Sequence, residues 1–339
     1  MTQSGRFVAT LLSPAAAIYG AAVALRNRRY DRGRSAVIRA PVPVISVGNL
    51  TVGGTGKTPV VMEIVRRLRG IGVRAAVVTR GYAAAAGQTA DEVLEYQEAL
   101  PDTPVIVNPD RVRGARDAAA EHGAQCIVLD DGFQHRRLAR DLDIVLIDAL
   151  APWGGERLLP AGRLREPLSS LRRAQAVIIT RANQTADARC AEIEQRVGKL
   201  APQAVCIRSE VRALGLRGVG SDAHPPHAAS QMSVLAVCGI GNPVTFEALL
   251  RDCGARPITI RRFRDHHRYT VRDVEGLVRD ASQRGATAVV TTRKDWVKLA
   301  PLWPPAPAAG LLRLDVEARL LDTGGALLAL LRRAVSREL

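Results

Sequence analysis

The sequence predicts an α/β fold, a parallel sheet with helices on both faces. Short apolar runs recur along the chain, each followed by turn residues and then a helical stretch, which is the βαβ rhythm of parallel strands. Most of these runs are continuously hydrophobic rather than alternating, as strands are when helices cover both sides of a sheet. Length agrees: 339 residues, 47% hydrophobic and 24% charged, can bury a sizeable core and favour two domains over one.

The candidate strands are 42–47, 75–79, 105–107, 126–129, 144–147, 177–180, 234–237 and 288–291. The clearest helix is 59–69, where Val60, Val61, Ile64, Val65 and Leu68 share one face, Arg66, Arg67 and Arg69 lie away from it, and Gly70 and Gly72 supply the stop. Residues 218–230, with two prolines and two histidines, read as a linker or surface loop and place a domain boundary within 205–230. The predicted organisation is therefore 1–36, 37–215 and 216–339. Ala83 to Ala86 with Gly87 form the one low-complexity patch, read as a mobile loop.

At the N-terminus, residues 7–25 are nearly uncharged and precede Arg26, Arg28, Arg29, Arg32 and Arg34. A span needs about 20 predominantly apolar residues, and this run meets the length but carries Thr10, Ser13 and Pro14. The basic cluster follows the apolar run, which argues against a secretory signal. An N-terminal membrane-associated helix is expected, lying in the interface or anchoring the chain, with a helix packed on the protein itself as the remaining alternative.

Lysine and arginine number 48 against 33 acidic residues, a net charge of +15 that suits an anionic partner: a phospholipid surface, a phosphorylated substrate or nucleic acid. Five cysteines without a Cys-x-x-Cys pair indicate neither a disulfide framework nor a cysteine zinc site, so a reducing cytoplasm is the simplest setting.

The first strand runs into Gly48-Asn49-Leu50-Thr51-Val52-Gly53-Gly54-Thr55-Gly56-Lys57-Thr58-Pro59, and a helix follows at once. Glycines let successive N–H groups turn inward around phosphate oxygens, and the helix N-terminus adds partial positive charge. Lys57 can then reach the terminal phosphates and Thr58 can ligate magnesium. Thr51, Val52, Gly53, Gly54, Thr55, Gly56, Lys57 and Thr58 are thus the candidate nucleotide contacts of a P-loop NTPase-like sheet. Thr51 stands where the Gly-x4-Gly-Lys-Ser/Thr pattern has its first glycine.

Asp130 and Asp131, in Ile127-Val128-Leu129-Asp130-Asp131-Gly132-Phe133-Gln134-His135, fit a magnesium-ligating strand end. Ile144-Val145-Leu146-Ile147-Asp148 has the same form. The two cannot neighbour the phosphate loop equally, and the doubled acid favours the former, with Asp148 left to cap a turn. Pro160-Ala161-Gly162-Arg163-Leu164-Arg165-Glu166-Pro167 suits phosphate contact and metal support, and Phe263-Arg264-Asp265-His266-His267-Arg268-Tyr269 offers a histidine for acid–base work.

In this order, with Thr79-Arg80-Gly81-Tyr82, Gly239-Ile240-Gly241-Asn242-Pro243 and Thr291-Thr292-Arg293-Lys294-Asp295, these segments resemble the tetraacyldisaccharide 4'-kinase family. The resemblance implies an ATP- and Mg2+-dependent kinase that phosphorylates the 4'-hydroxyl of a tetraacylated glucosamine disaccharide 1-phosphate, making a lipid A precursor at the cytoplasmic face of the bacterial inner membrane. It implies a smaller C-terminal α/β domain that closes on the nucleotide, and neither nucleic acid nor a protein partner. It points to Asp91 as base, assisted by His266 or its neighbour His267, with Lys57 on the phosphates and Asp131 and Glu166 holding magnesium alongside Thr58. Ala90 and Val93 depart from the glycine and proline that the family places around its Asp-Glu pair, and Arg293 replaces its usual glutamate. Competing readings are a GTPase, for which Thr292 to Asp295 would read guanine although Lys294 and Asp295 are adjacent where that motif spaces them by one residue, and a membrane-bound partitioning ATPase.

Overall fold

The computed structural model describes residues 12–81, 91–218, 223–265, 267–305 and 309–337. His266 and the patch 83–87 lie outside them. In chain order the helices are α1 Ser13–Asp31, α2 Lys57–Gly70, α3 Asp91–Ala99, α4 Arg111–His122, α5 Asp187–Leu200, α6 Pro243–Asp252, α7 Val271–Gln283, α8 Arg293–Leu299 and α9 Ala326–Ser336. The strands are β1 Val44–Asn49, β2 Ala75–Thr79, β3 Val105–Val107, β4 Cys126–Asp130, β5 Leu142–Asp148, β6 Ala176–Thr180, β7 Val205–Gly218, β8 Ala223–His224, β9 Ser233–Cys238, β10 Arg256–Arg262, β11 Ala288–Thr292 and β12 Gly310–Leu320.

All eight apolar runs are strands. Of the four others, β8 is only two residues long and charge breaks up the rest: β12 carries Arg313, Asp315, Glu317 and Arg319 at alternate positions, β7 carries Arg208, Glu210 and Arg212, and β10 carries Arg256, Arg261 and Arg262.

The chain forms two compact units, one of Met1–Arg80, Leu100–Glu210 and Arg319–Leu339, the other of Gly81–Ala99 and Val211–Ala318. Neither is contiguous in sequence: the segment carrying α3 belongs with the second unit and α9 with the first. In the first unit the sheet order is β7-β6-β5-β1-β4-β2-β3, all parallel. Ala76, Val78, Ile127 and Leu129 bury one face against Val112, Ala115 and Ala118 of α4. Val145, Ile147, Val177 and Ile179 continue the same face of the sheet and pack against Cys190, Ile193 and Val197 of α5. Burial of this kind stabilises by about 25 cal/mol per Å² of apolar surface, which is why continuous apolar strands were readable as such.

The second unit has the parallel order β10-β9-β11-β12. Val234 and Ala236 pack with Phe246 and Leu250 of α6, while Leu235 and Val237 pack with Val274 and Leu277 of α7. Helix α7 opens with a capping box between Thr270 and Asp273. The stretch read as a linker is instead part of this unit: His224 in β8 pairs antiparallel with Leu216 in β7, and a 3-10 helix at Pro226–Gln231 buries Ala229.

Among the described residues no helix is long and apolar enough to cross a membrane. Helix α1 covers only part of the apolar run 7–25, whose start lies outside the described residues. Its Val23 is buried, while Ile18 and Leu25 are 73% and 63% exposed.

Candidate active site

Strand β1 lies between β4 and β5, pairing Val47 with Asp130 on one side and Asn49 with Leu146 on the other. Both acid-tipped strands therefore flank the strand that feeds the phosphate loop, but, as expected, not equally. They serve it differently. Asp131 faces Lys57, with Nζ 3.6 Å from Oδ1, whereas Asp148 pairs with Arg181 and caps a turn by accepting from Leu150 N at 3.2 Å.

The loop itself turns where glycine permits. Gly53 has φ +110°, and a Cβ there would meet the Arg163 guanidinium; Gly56 has φ +78° and sits directly before α2. No side chain caps this helix, so its first N–H groups and dipole remain available to an anion. The 160–167 segment is bound to the loop as a short antiparallel ladder through Thr51 and Leu164. Val52 N donates to Arg163 O at 2.8 Å and Arg165 N to Leu50 O at 2.7 Å. Arg163 Nη2 adds a bond to Val52 O at 2.8 Å.

Three polar side chains tie the end of β1 to the loop. Asn49 Nδ2 donates to Thr51 O at 2.7 Å, Lys57 Nζ donates to Asn49 Oδ1 at 3.4 Å, and Gln134 Nε2 donates to Asn49 O at 2.9 Å. Arg165 Nη1 bonds Asp131 Oδ2 at 2.6 Å. Burial works to raise the Asp131 pKa, but Lys57 and Arg165 outweigh it and hold the carboxyl below its ordinary value. Its Oδ1 is buried and accepts no hydrogen bond.

Glu166 is 1% exposed, with Oε2 accepting from Asn27 of α1 at 2.8 Å and from Arg173 at 3.0 Å; its Oε1 is buried and accepts none. Helix α1 also sends Tyr19 Oη to Arg165 O at 2.8 Å and Arg26 to Gln134 O. The N-terminal helix thus braces the loops that carry Asp131 and Glu166, a role its apolar character did not announce.

A family model described as tetraacyldisaccharide-1-P 4'-kinase, LpxK, matches residues 8–335. The chain belongs to this family. The kinase is 39% identical to the tetraacyldisaccharide 4'-kinase of Anaeromyxobacter dehalogenans, over 95% of this chain and 89% of that one, and 38% identical to that of Chlorobaculum parvum, over 94% and 93%. Among solved structures it resembles Aquifex aeolicus LpxK in complex with ATP, with a TM-score of 0.74 and 28% identity over 97% of this chain and 99% of that chain.

In the kinase's second unit Asp91 opens α3, and its Oδ2 accepts from Lys298 Nζ of α8 at 3.1 Å. Lys298 also donates to His267 O at 3.2 Å and lies 3.6 Å from Asp295 Oδ1. Sequence reading did not single out this lysine; its place four residues after Lys294 on a helix was the available signal. The His267 ring stacks on Phe263 at 4.6 Å, meets Tyr269 edge-on at 4.9 Å, and sets Nε2 3.3 Å from Asp273 Oδ2. Asp265 pairs instead with Lys294 at 2.8 Å, so the carboxylate orienting this histidine is Asp273.

Asp295 is fully buried and accepts from Gly239 N at 2.9 Å and from the Thr292 hydroxyl at 2.7 Å. A carboxylate so engaged is structural and is not offered to a guanine base, which removes the GTPase reading of 292–295.

Magnesium was expected on Thr58, Asp131 and Glu166. Among the described residues no three His, Cys, Asp or Glu side chains group as a metal cluster. Asp131, held ionised by Lys57 and Arg165 and with a buried Oδ1 that accepts no hydrogen bond, nevertheless suits Mg2+, which takes one or two protein oxygens and completes its shell with phosphates and water.

Proposed function

We propose that this kinase transfers the γ-phosphoryl group of ATP to the 4'-hydroxyl of a tetraacylated glucosamine disaccharide 1-phosphate at the cytoplasmic face of the inner membrane. The observation that carries the reading is the glycine loop whose Lys57 faces the half-buried Asp131, in a chain matched along its length to this kinase family. Thr51 through Thr58 hold the triphosphate, and Lys57 neutralises charge on its terminal oxygens. Thr58, Asp131 and Glu166 would hold Mg2+, which supplies charge neutralisation and alignment of the phosphates.

Asp91 takes the acceptor's proton, assisted by a histidine of the 265–267 cluster. The hydroxyl oxygen forms the new P–O bond as the bond to the ADP oxygen breaks, and the proton passes to the carboxylate. Lys298 fixes that carboxylate, and Asp273 orients His267. The exposed Ile18 and Leu25 of α1, with exposed Arg28 and Arg29 on the same helix, support interfacial attachment to anionic lipid, where an acylated substrate resides.

Incubation with γ-labelled ATP and the tetraacyl disaccharide 1-phosphate should move label to the lipid at the 4'-position, with GTP a poor donor. Release of free phosphate independent of the lipid would favour a partitioning ATPase and overturn the assignment.

A further inference from the structure

Two residues at the end of β6 grip the phosphate loop from behind. Thr180 Oγ1 donates to Thr55 O at 2.9 Å, and Arg181 Nη2 donates to Gly54 O at 2.8 Å while its Nη1 bonds Asp148 Oδ2 at 2.5 Å. Thr180, Arg181 and Asp148 are 2%, 7% and 8% exposed, so these bonds are made out of water, where an unmade partner is expensive. Arg181 adopts a left-handed backbone, φ +59°, an uncommon state for a non-glycine residue that the surrounding contacts must hold.

The grip has a direction. Across a planar trans peptide, the carbonyl of one residue and the N–H of the next point opposite ways. Pinning the carbonyls of Gly54 and Thr55 towards Arg181 and Thr180 therefore aims the N–H groups of Thr55 and Gly56 the other way. Inward-turned amides are what a phosphate-binding nest consists of.

We propose that Thr180 and Arg181 are positioning residues for ATP, which orient the phosphate-loop amides before nucleotide arrives, and that Asp148 serves this brace by aligning and neutralising Arg181. The proposal rests on the nucleotide reading of the loop. It gives the second acid-tipped strand a task other than metal binding, and it requires the forked guanidinium: a lysine keeps the charge but has one nitrogen, which cannot take the places of both Nη2 at Gly54 O and Nη1 at Asp148.

Calorimetric titration of ATP into the full-length protein tests it, with thermal melting as the control for folding. Arg181→Met and Arg181→Lys should both weaken ATP by about tenfold or more, and Thr180→Val by about threefold to tenfold, the equivalent of one or two lost hydrogen bonds. Thr180→Ser should restore wild-type affinity, and the KM for the lipid acceptor should stay unchanged in all four. Should Arg181→Met fail to fold, the Thr180 pair carries the test alone. Wild-type affinity in Arg181→Lys, or in Thr180→Val, overturns the brace. Lys57→Ala separates the two levels: lost ATP binding there with intact binding in the brace variants sinks only the brace, while intact binding in Lys57→Ala sinks the nucleotide reading with it.

Discussion

The two units hold their candidate catalytic groups in opposite ways. In the first, the phosphate loop is fixed largely through its backbone, by the 160–167 ladder, by Asn49 and Gln134, and by Thr180 and Arg181. Its acid, Asp131, is surrounded by cations. In the second, Asp91 stands on a helix carrying further acids, held by side-chain ion pairs: Lys298 to Asp91 at the start of α3, and buried Arg313 to Glu98 near its end. Between them Glu95 is buried, and that burial, only partly offset by Lys294 and Arg293, pushes its pKa up to about 8. A site that receives a polyanion is best built from amides and positive charge, and a site that removes a proton needs a carboxylate.

The largest effect should come from the first unit. Lys57→Ala removes the charge meant for the terminal phosphates and should lower kcat/KM by about a thousandfold or more in the lipid phosphorylation assay, without unfolding the protein. Asp91→Asn comes next, with kcat reduced by about a hundredfold or more, the usual worth of a general base. An unchanged kcat would return that role to the histidines.

These two residues also mark what sequence can reveal. Gly53 to Thr58 are contiguous, because a strand, a turn and a helix N-terminus suffice to build an anion nest, so the nucleotide half reads directly from the chain. Asp91 is followed by its partner Lys298 only after 206 intervening residues, and nothing at 91 signals that meeting; family resemblance alone selected it. Arg181 was passed over for a related reason: its task is defined by Gly54 O and Asp148, which it meets only once β5 pairs with β1 on one side and β6 on the other. The strands were legible where burial on both faces made them uniformly apolar. Strands β7 and β12 were missed because ion pairs such as Arg313 with Asp315 place charge inside them.

Smaller effects probe the second unit more finely. Lys298→Met should lower kcat by about tenfold and leave KM for ATP unchanged, since it displaces a carboxylate without touching the phosphate loop. Equal losses in both parameters would mean that Lys298 contacts nucleotide. Glu95→Gln should leave activity near wild type and change only the pH dependence of stability. The folded state keeps the Glu95 proton up to about pH 8 while the unfolded chain releases it near 4.5, so the native protein loses stability as pH rises between those values. In thermal melts the Gln variant should gain on wild type progressively from pH 5 to pH 8.5, and show no gain at pH 4. A constant offset across that range would mean the carboxyl is not buried in its neutral form.

The division of labour between the two units is tested most directly by the ATP affinity of Asp91→Asn set beside that of Lys57→Ala, measured by calorimetry under the conditions of the kinase assay. The account predicts a wild-type Kd for Asp91→Asn despite its collapsed turnover, and a Kd weakened by about tenfold or more for Lys57→Ala. A loss of ATP affinity in Asp91→Asn as large as its loss of turnover would contradict it, because Asp91 would then be holding the nucleotide and not removing the acceptor's proton.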